Sequence, residues 1–181
     1  LPTIFNPEDR AKALYDSNDT RVILWQLAKM KQAGLDFAVS SWWGQGSYED
    51  KVFRKILLEV VPRNDNPFPD LKWSIVYDSE IFYDPTADEI VSDLEYISAT
   101  FGRSKGILRM HGKMVLFVSG GRNDELDYAN RWSEAAGRVG GFHLILKAFR
   151  GHSSVARYAD GWYQFAPTNR FQHDEYYWGF A

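Results

Sequence analysis

Cysteine is absent from the 181-residue sequence. That excludes disulfides, thiolate metal sites and a cysteine nucleophile, and it is compatible with any compartment, secreted or periplasmic included. No apolar run approaches the roughly 20 residues of a membrane-spanning helix. A charge of one sign is also lacking: 21 Lys and Arg are interspersed with 24 Asp and Glu, for a net charge of −3. Such a surface does not suit a polyanion, so no nucleic acid partner is expected. The chain opens at Leu1 without a signal-peptide pattern, and so reads as a processed product or a piece of a longer protein. Chemical signatures are missing too. No glycine-rich phosphate loop follows a strand; "SGGRND" has the glycines without the spacing. There is no G-x-S-x-G elbow, no Ser–His–Asp pattern and no metal-binding histidine spacing. No metal or organic cofactor is expected.

Aromatic residues, by contrast, are abundant. The sequence holds 7 Trp, 10 Tyr and 12 Phe, 16 % of the chain, and their positions carry the functional reading. Length alone predicts one domain, residues 1–181. Helical and strand patterns alternate along it. "SNDTRVILWQLAKMKQAG" has polar capping residues, apolar residues at helical spacing and Gly34 as its stop. Ser47 with Asp50, and Thr86 with Glu89, cap two further helices, and "NDELDYANRWSEAAG" makes a fourth that ends at Gly137. "SSVARYA" reads as a short helix.

Between them lie five main strands: "LDFAVSSWW", "KWSIVYDSE", "GKMVLFVSG", "GFHLILKAF" and "DGWYQFAP". A short strand, "ILRM", joins the third of these through a turn at Gly112. This alternation predicts parallel β/α units, with neighbours in sequence order, covered by helices. An open doubly wound sheet and a (β/α)8 barrel both fit. Polar and aromatic residues gather where each strand ends: Trp42 and Trp43, Tyr77 with Asp78 and Glu80, Ser119 with Gly120, Lys147 with Arg150, and Tyr163 with Gln164. That is the pattern of a barrel's active face, so the expected fold class is α/β of the TIM-barrel type, with five or so β/α units. Five strands would leave two open edges and apolar surface beside them.

The strand-end rings Trp42, Trp43, Tyr77 and Tyr163, with Gln164 beside them, are the candidate substrate-binding residues. Aromatic faces suit the C–H faces of sugar rings; the plainer reading is a rim filled with large side chains. Because neighbours on a strand diverge, one of Trp42 and Trp43 should pack beneath the loop and the other should line the pocket, on the same side as Tyr77, Asp78 and Tyr163. Asp78 and Glu80 are the candidate catalytic residues: two apart, they share a face if the strand continues. Glycoside cleavage uses two carboxyl groups about 5–5.5 Å or 6.5–9.5 Å apart. Asp160 opens its strand at the opposite end and reads as a turn or cap residue. His143 reads as a core histidine, while His152 and His173 fall in loops near the active face.

The run "YDSNDTRVILWQLAKMKQAGLDFAVSSWWGQGSYED" resembles the early part of the endo-α-mannosidase-like group, glycoside hydrolase family 99 and its relatives, including polysaccharide-cluster domains. There a "YDS.D" segment precedes a helix, then "AGID", then a strand ending in "SWWG" or "WYG". "GKMVLFVSG" resembles that group's "GKPVVFVY" strand, and "DGWYQFAP" its "DG.Y.Y" strand. The resemblance implies a (β/α)8 barrel acting on α-mannosides or other glycans. It places Trp42 and Trp43 at a substrate-contacting strand end, Asp78 near an acidic "EPY" position with Ser79 in place of the proline, and Tyr163 near the "Y.Y" tyrosines. The group's principal acids, in "NEW.EG", have no counterpart here, nor does its Tyr- and Trp-rich first strand. The expected function is therefore an endo-acting glycoside hydrolase on α-linked glycans, its main acids outside this chain. The alternatives are a non-catalytic glycan-binding or degenerate barrel domain and, more weakly, an unrelated α/β enzyme. The expected partner is a glycan, and nothing in the sequence sets an oligomeric state.

Overall fold

The computed structural model describes residues 16–81, 83–120, 125–148 and 156–163. Helix α1 (Thr20–Gln32) starts where the Asp19 carboxylate accepts the Arg21 N–H, and it stops before Gly34, whose φ of 70° favours a residue without a Cβ. Strand β1 (Phe37–Trp42) follows. Helix α2 (Tyr48–Arg54) is capped by the Ser47 hydroxyl on the Asp50 N–H, and it runs on as a π-helical stretch, Lys55–Val60. After β2 (Lys72–Tyr77), a full capping box between Thr86 and Glu89 opens α3 (Ala87–Phe101). Strands β3 (Arg109–Met110) and β4 (Lys113–Val118) form a tight antiparallel hairpin. Its two turn residues, His111 and Gly112, both have positive φ, the backbone of a type I′ turn. Helix α4 (Glu125–Val139) runs two residues past Gly137 and stops at Gly140, whose φ is 73°. Gly137 was expected to end it, but helical backbone tolerates a glycine and the left-handed residue comes later. Strands β5 (Phe142–Lys147) and β6 (Gly161–Tyr163) complete the described elements; of the predicted "SSVARYA" helix, Ala156–Tyr158 is a 3₁₀ turn.

The sheet order is β1-β2-β4-β5-β6, all parallel, with β3 paired only to β4. Sequence order is kept and never reverses. The four helices also share one face of the sheet. Ile23 and Leu27 of α1, Phe53 of α2, Ile90 and Leu94 of α3, and Ala129 and Trp132 of α4 join one core cluster with Ile75, Leu116 and Leu144. A doubly wound sheet carries helices on both faces and reverses its strand order. One-sided winding is the barrel arrangement, and the fold is α/β of the TIM-barrel type.

Alternation assigns the opposite face to Val39, Ser41, Ser74, Val76, Phe117 and Ile145, none of which belongs to the core cluster. Among the described residues β1 pairs only with β2 and β6 only with β5, so the sheet is open. Phe37 and Val39 on β1 are 45 % and 40 % exposed, the apolar edge surface that the strand count led us to expect.

Two substitutions separate a local cap from the core. Thr86→Ala removes the capping hydroxyl of α3 and should cost about 1 kcal/mol. Trp42→Ala empties a wholly buried site beside Tyr77 and Tyr96 and should cost about 3–5 kcal/mol. Urea denaturation of both variants checks the ranking; an equal cost would place Trp42 outside the core.

Candidate functional site

The ladder continues one residue beyond the strand ends. The Asp78 N–H donates to the Trp42 carbonyl (3.0 Å), the Ser119 N–H to the Tyr77 carbonyl (3.2 Å) and the Ala148 N–H to the Tyr163 carbonyl (3.0 Å). Two rows of side chains follow from this register. Trp42, Tyr77, Val118, Leu146 and Trp162 are partners across the sheet and point toward the helices. The next row, Trp43, Asp78, Ser119, Lys147 and Tyr163, points the other way. It rims a cavity of about 420 Å³ floored by Val39, Val76 and Phe117.

Within this cavity the Ser119 hydroxyl donates to Asp78 Oδ1 at 2.6 Å, and Lys147 Nζ donates to the Ser119 carbonyl at 3.0 Å. The Tyr163 ring stands edge-on to Phe117 with centroids 5.6 Å apart. Its hydroxyl is shielded from solvent and has no hydrogen-bond partner among the described residues. Burial, reinforced by the negative charge of Asp78, pushes this phenol above its usual range, so it is held as a neutral donor. Trp43 is 38 % exposed at the rim. The arrangement offers an aromatic face, an apolar floor, one carboxylate, one ammonium and one tyrosine hydroxyl. Such a mix fits a neutral polyhydroxyl ligand: C–H faces lie on rings and hydroxyls bond to the polar row.

The residues singled out from the sequence divide between the two faces. Trp43, Asp78 and Tyr163 are brought together in the cavity; Trp42, Tyr77 and Glu80 are not. Trp42 is wholly buried, and its indole N–H donates to Asp50 Oδ1 at 2.9 Å. The pair does diverge, one ring beneath the loop and one at the cavity. Tyr77 was expected beside Asp78, but it is one residue earlier and therefore faces the helices. Its hydroxyl donates to Asp93 Oδ2 at 2.7 Å and its ring meets Trp132 edge-on at 4.7 Å. Asp78 and Glu80 were expected to share a face. The chain leaves the extended conformation after Tyr77 and turns through a 3₁₀ segment, Ser79–Ile81, which carries Glu80 behind the sheet. There Glu80 Oε2 accepts the Trp132 indole N–H (2.9 Å) and Oε1 accepts an Arg131 N–H (2.7 Å). Burial raises the Glu80 pKa, the Trp132 and Arg131 contacts pull it back, and the outcome is a carboxyl pushed up to about 7. Gln164, Arg150, His152 and His173 lie outside the described residues.

Sequence reading assigned no binding role to Ser119 or Lys147, though both were noted at strand ends; counting one residue past each strand would have found them. The sequence marks Asp50 only as a capping position. Its carboxylate accepts from Trp42, from the Gly46 N–H (3.1 Å) and from the Tyr96 hydroxyl (2.6 Å), tying down the loop that carries Trp43. No local signal announces that role. Asp160 accepts the Leu144 N–H at 2.9 Å, a strand-start contact far from the cavity, as expected. His143 is buried, with Nδ1 3.9 Å from Asp160. No described helix is long and apolar enough to cross a membrane.

No family model matches this sequence, and no curated protein does. Solved structures match its fold. The GH99 endo-α-mannosidase from Bacteroides thetaiotaomicron, in complex with Bis-Tris propane, aligns with a TM-score of 0.65 and 18 % identity over 86 % of this chain and 49 % of that one. A second structure of that enzyme gives a TM-score of 0.63 and 20 % identity over 86 % of this chain and 46 % of the other. The chain thus spans about half the length of these structures, and what it shares with them is a glycoside-hydrolase-like barrel fold.

Proposed function

We propose that this chain forms the glycan-binding wall of an endo-acting glycoside hydrolase that works on α-linked glycans, with α-mannosides as the first candidates. The observation that carries this reading is the row Trp43, Asp78, Ser119, Lys147 and Tyr163 above an apolar floor at the C-terminal ends of parallel strands. A pyranose has a C–H face that packs on an indole and hydroxyls that both donate and accept. Asp78 supplies an acceptor and Lys147 and Tyr163 supply donors, the Tyr163 hydroxyl having no other partner among the described residues. The fold of the endo-α-mannosidase structures supports the choice of sugar.

Cleavage of a glycoside by the common route needs two carboxyl groups. Among the described residues lining the cavity, Asp78 alone is a carboxylate, and Glu80 is engaged behind the sheet. Asp78 is accordingly the acid that contacts substrate, and the remaining catalytic acids belong to segments outside the described residues. The same observation favours a second reading, a glycan-binding domain without hydrolysis.

Calorimetric titration with α-linked manno-oligosaccharides tests the reading. Trp43→Ala should weaken binding at least about tenfold, equivalent to about 1.4 kcal/mol. Tyr163→Phe, which removes one hydrogen bond, should weaken it by a factor of about 2–10. Both variants should keep the wild-type circular dichroism spectrum. A wild-type chain that binds no α-mannoside at millimolar concentration would overturn the proposal. Both readings expect binding by this chain; release of reducing ends from the bound oligosaccharide would select the hydrolase.

A further inference from the structure

Glu80 lies two residues from Asp78, yet it faces away from the cavity and is buried. Its surroundings join three strand ends. Its carboxylate holds the turn after β2 to α4 through Trp132 and Arg131. Its Cγ fills the space beside Gly120, where an added Cβ would come within 2.3 Å of it; the Tyr128 ring closes the same space at 2.8 Å. The Tyr128 hydroxyl in turn donates to the Lys147 carbonyl. Gly120 directly follows Ser119, whose hydroxyl orients Asp78. No other residue type fits at position 120 without displacing Glu80 or Tyr128.

Taking the cavity row as the binding wall proposed above, we infer that Glu80 is a positioning residue for that row. Clamped to α4, it sets Gly120, and through Ser119 the Asp78 carboxylate, and gain or loss of the Glu80 proton shifts the row. The chemistry is simple. An ionised carboxylate accepts from both Trp132 and Arg131; a neutral one carries a proton that needs its own acceptor and accepts less strongly, so the clamp loosens. Among the described residues, the charged and titratable groups around it are Arg131, Asp127 and Tyr128 on α4, Asp84 in the loop, and Tyr77 on β2, backed by Asp93 on α3. Arg131 bridges Glu80 and Asp84 at 2.7 and 2.5 Å and so competes for the clamp. The pKa of Glu80, pushed up to about 7, puts the transition near neutrality.

Nitrogen-15 NMR between pH 5 and 8.5 tests this without a ligand. In the wild-type chain the Trp132 indole N–H, assigned with Trp132→Phe, should titrate with one midpoint, and the Ser119 and Gly120 amides should move with it. Glu80→Gln, which fixes the neutral form, should hold those amides at their low-pH positions throughout. Should that variant fail to fold, Trp132→Phe carries the test: losing a donor that favours the ionised form should raise the midpoint seen at Gly120. In the ligand arm, the affinity for an α-mannobiose should differ at least about threefold between pH 5.5 and pH 8 in the wild-type chain, since a single displaced hydrogen bond has about that effect. It should stay at the low-pH value in Glu80→Gln. Ser119 and Gly120 amides that stay fixed while Trp132 titrates would overturn the inference. Coupled amides with no mannoside binding at any pH would support it and count against the binding reading alone.

Discussion

The parallel register across the ends of the strands is the constraint on which this structure depends. Trp42, Tyr77, Val118, Leu146 and Trp162 stand side by side facing the helices, so the residue after each must face the cavity. A shift of one residue in any strand would exchange a core residue for a rim residue. The register is enforced from the helix side. Trp42 is wholly buried and Tyr77 is 3 % exposed, and neither could be moved to water without emptying the core.

Burying rings with polar atoms there is costly unless those atoms find partners. A buried N–H or O–H left unmade costs about 1–3 kcal/mol, so each needs an acceptor. Three carboxylates supply them: Asp50 for Trp42, Asp93 for Tyr77 and Glu80 for Trp132. They come from α2, from α3 and from the turn after β2, and so they tie the strand ends to the helical layer. Each also fixes a piece of the rim on the other side of the sheet. Asp50 holds the loop of Trp43 through the Gly46 N–H, Asp93 accepts from Gln45 in the same loop (2.9 Å), and Glu80 packs against Gly120. Acidic residues that look available for chemistry are spent on architecture behind the sheet, and Asp78 is left facing the cavity.

The cavity in turn inherits its character from the strands. Its floor is the aliphatic and aromatic set that alternation places opposite the core, and its rim is whatever follows each strand. Ser119 and Asp78 bond to each other because their backbones are adjacent in the ladder, and Lys147 reaches the same point from the next strand. A polar row above an apolar floor is thus a direct product of strand ends in register.

Much of this was legible in the sequence. The Thr86–Glu89 capping box, the Gly34 stop and the Gly112 turn fixed element boundaries, because caps and turns are local hydrogen-bond and backbone problems. Period-two alternation required Trp42 and Trp43 to diverge. What alternation could not supply is its phase, which face of each strand meets the helices; packing decided that, and it placed Tyr77 with the core and Asp78 at the cavity. Nor could the sequence show that the strand would end at Tyr77, since the 3₁₀ turn that follows is held by Glu80 reaching Trp132 and Arg131, both more than fifty residues away along the chain. Local pattern determined the elements and their order; contacts between distant residues decided which side chains share a face, because burial and hydrogen-bond satisfaction are properties of the assembled layers.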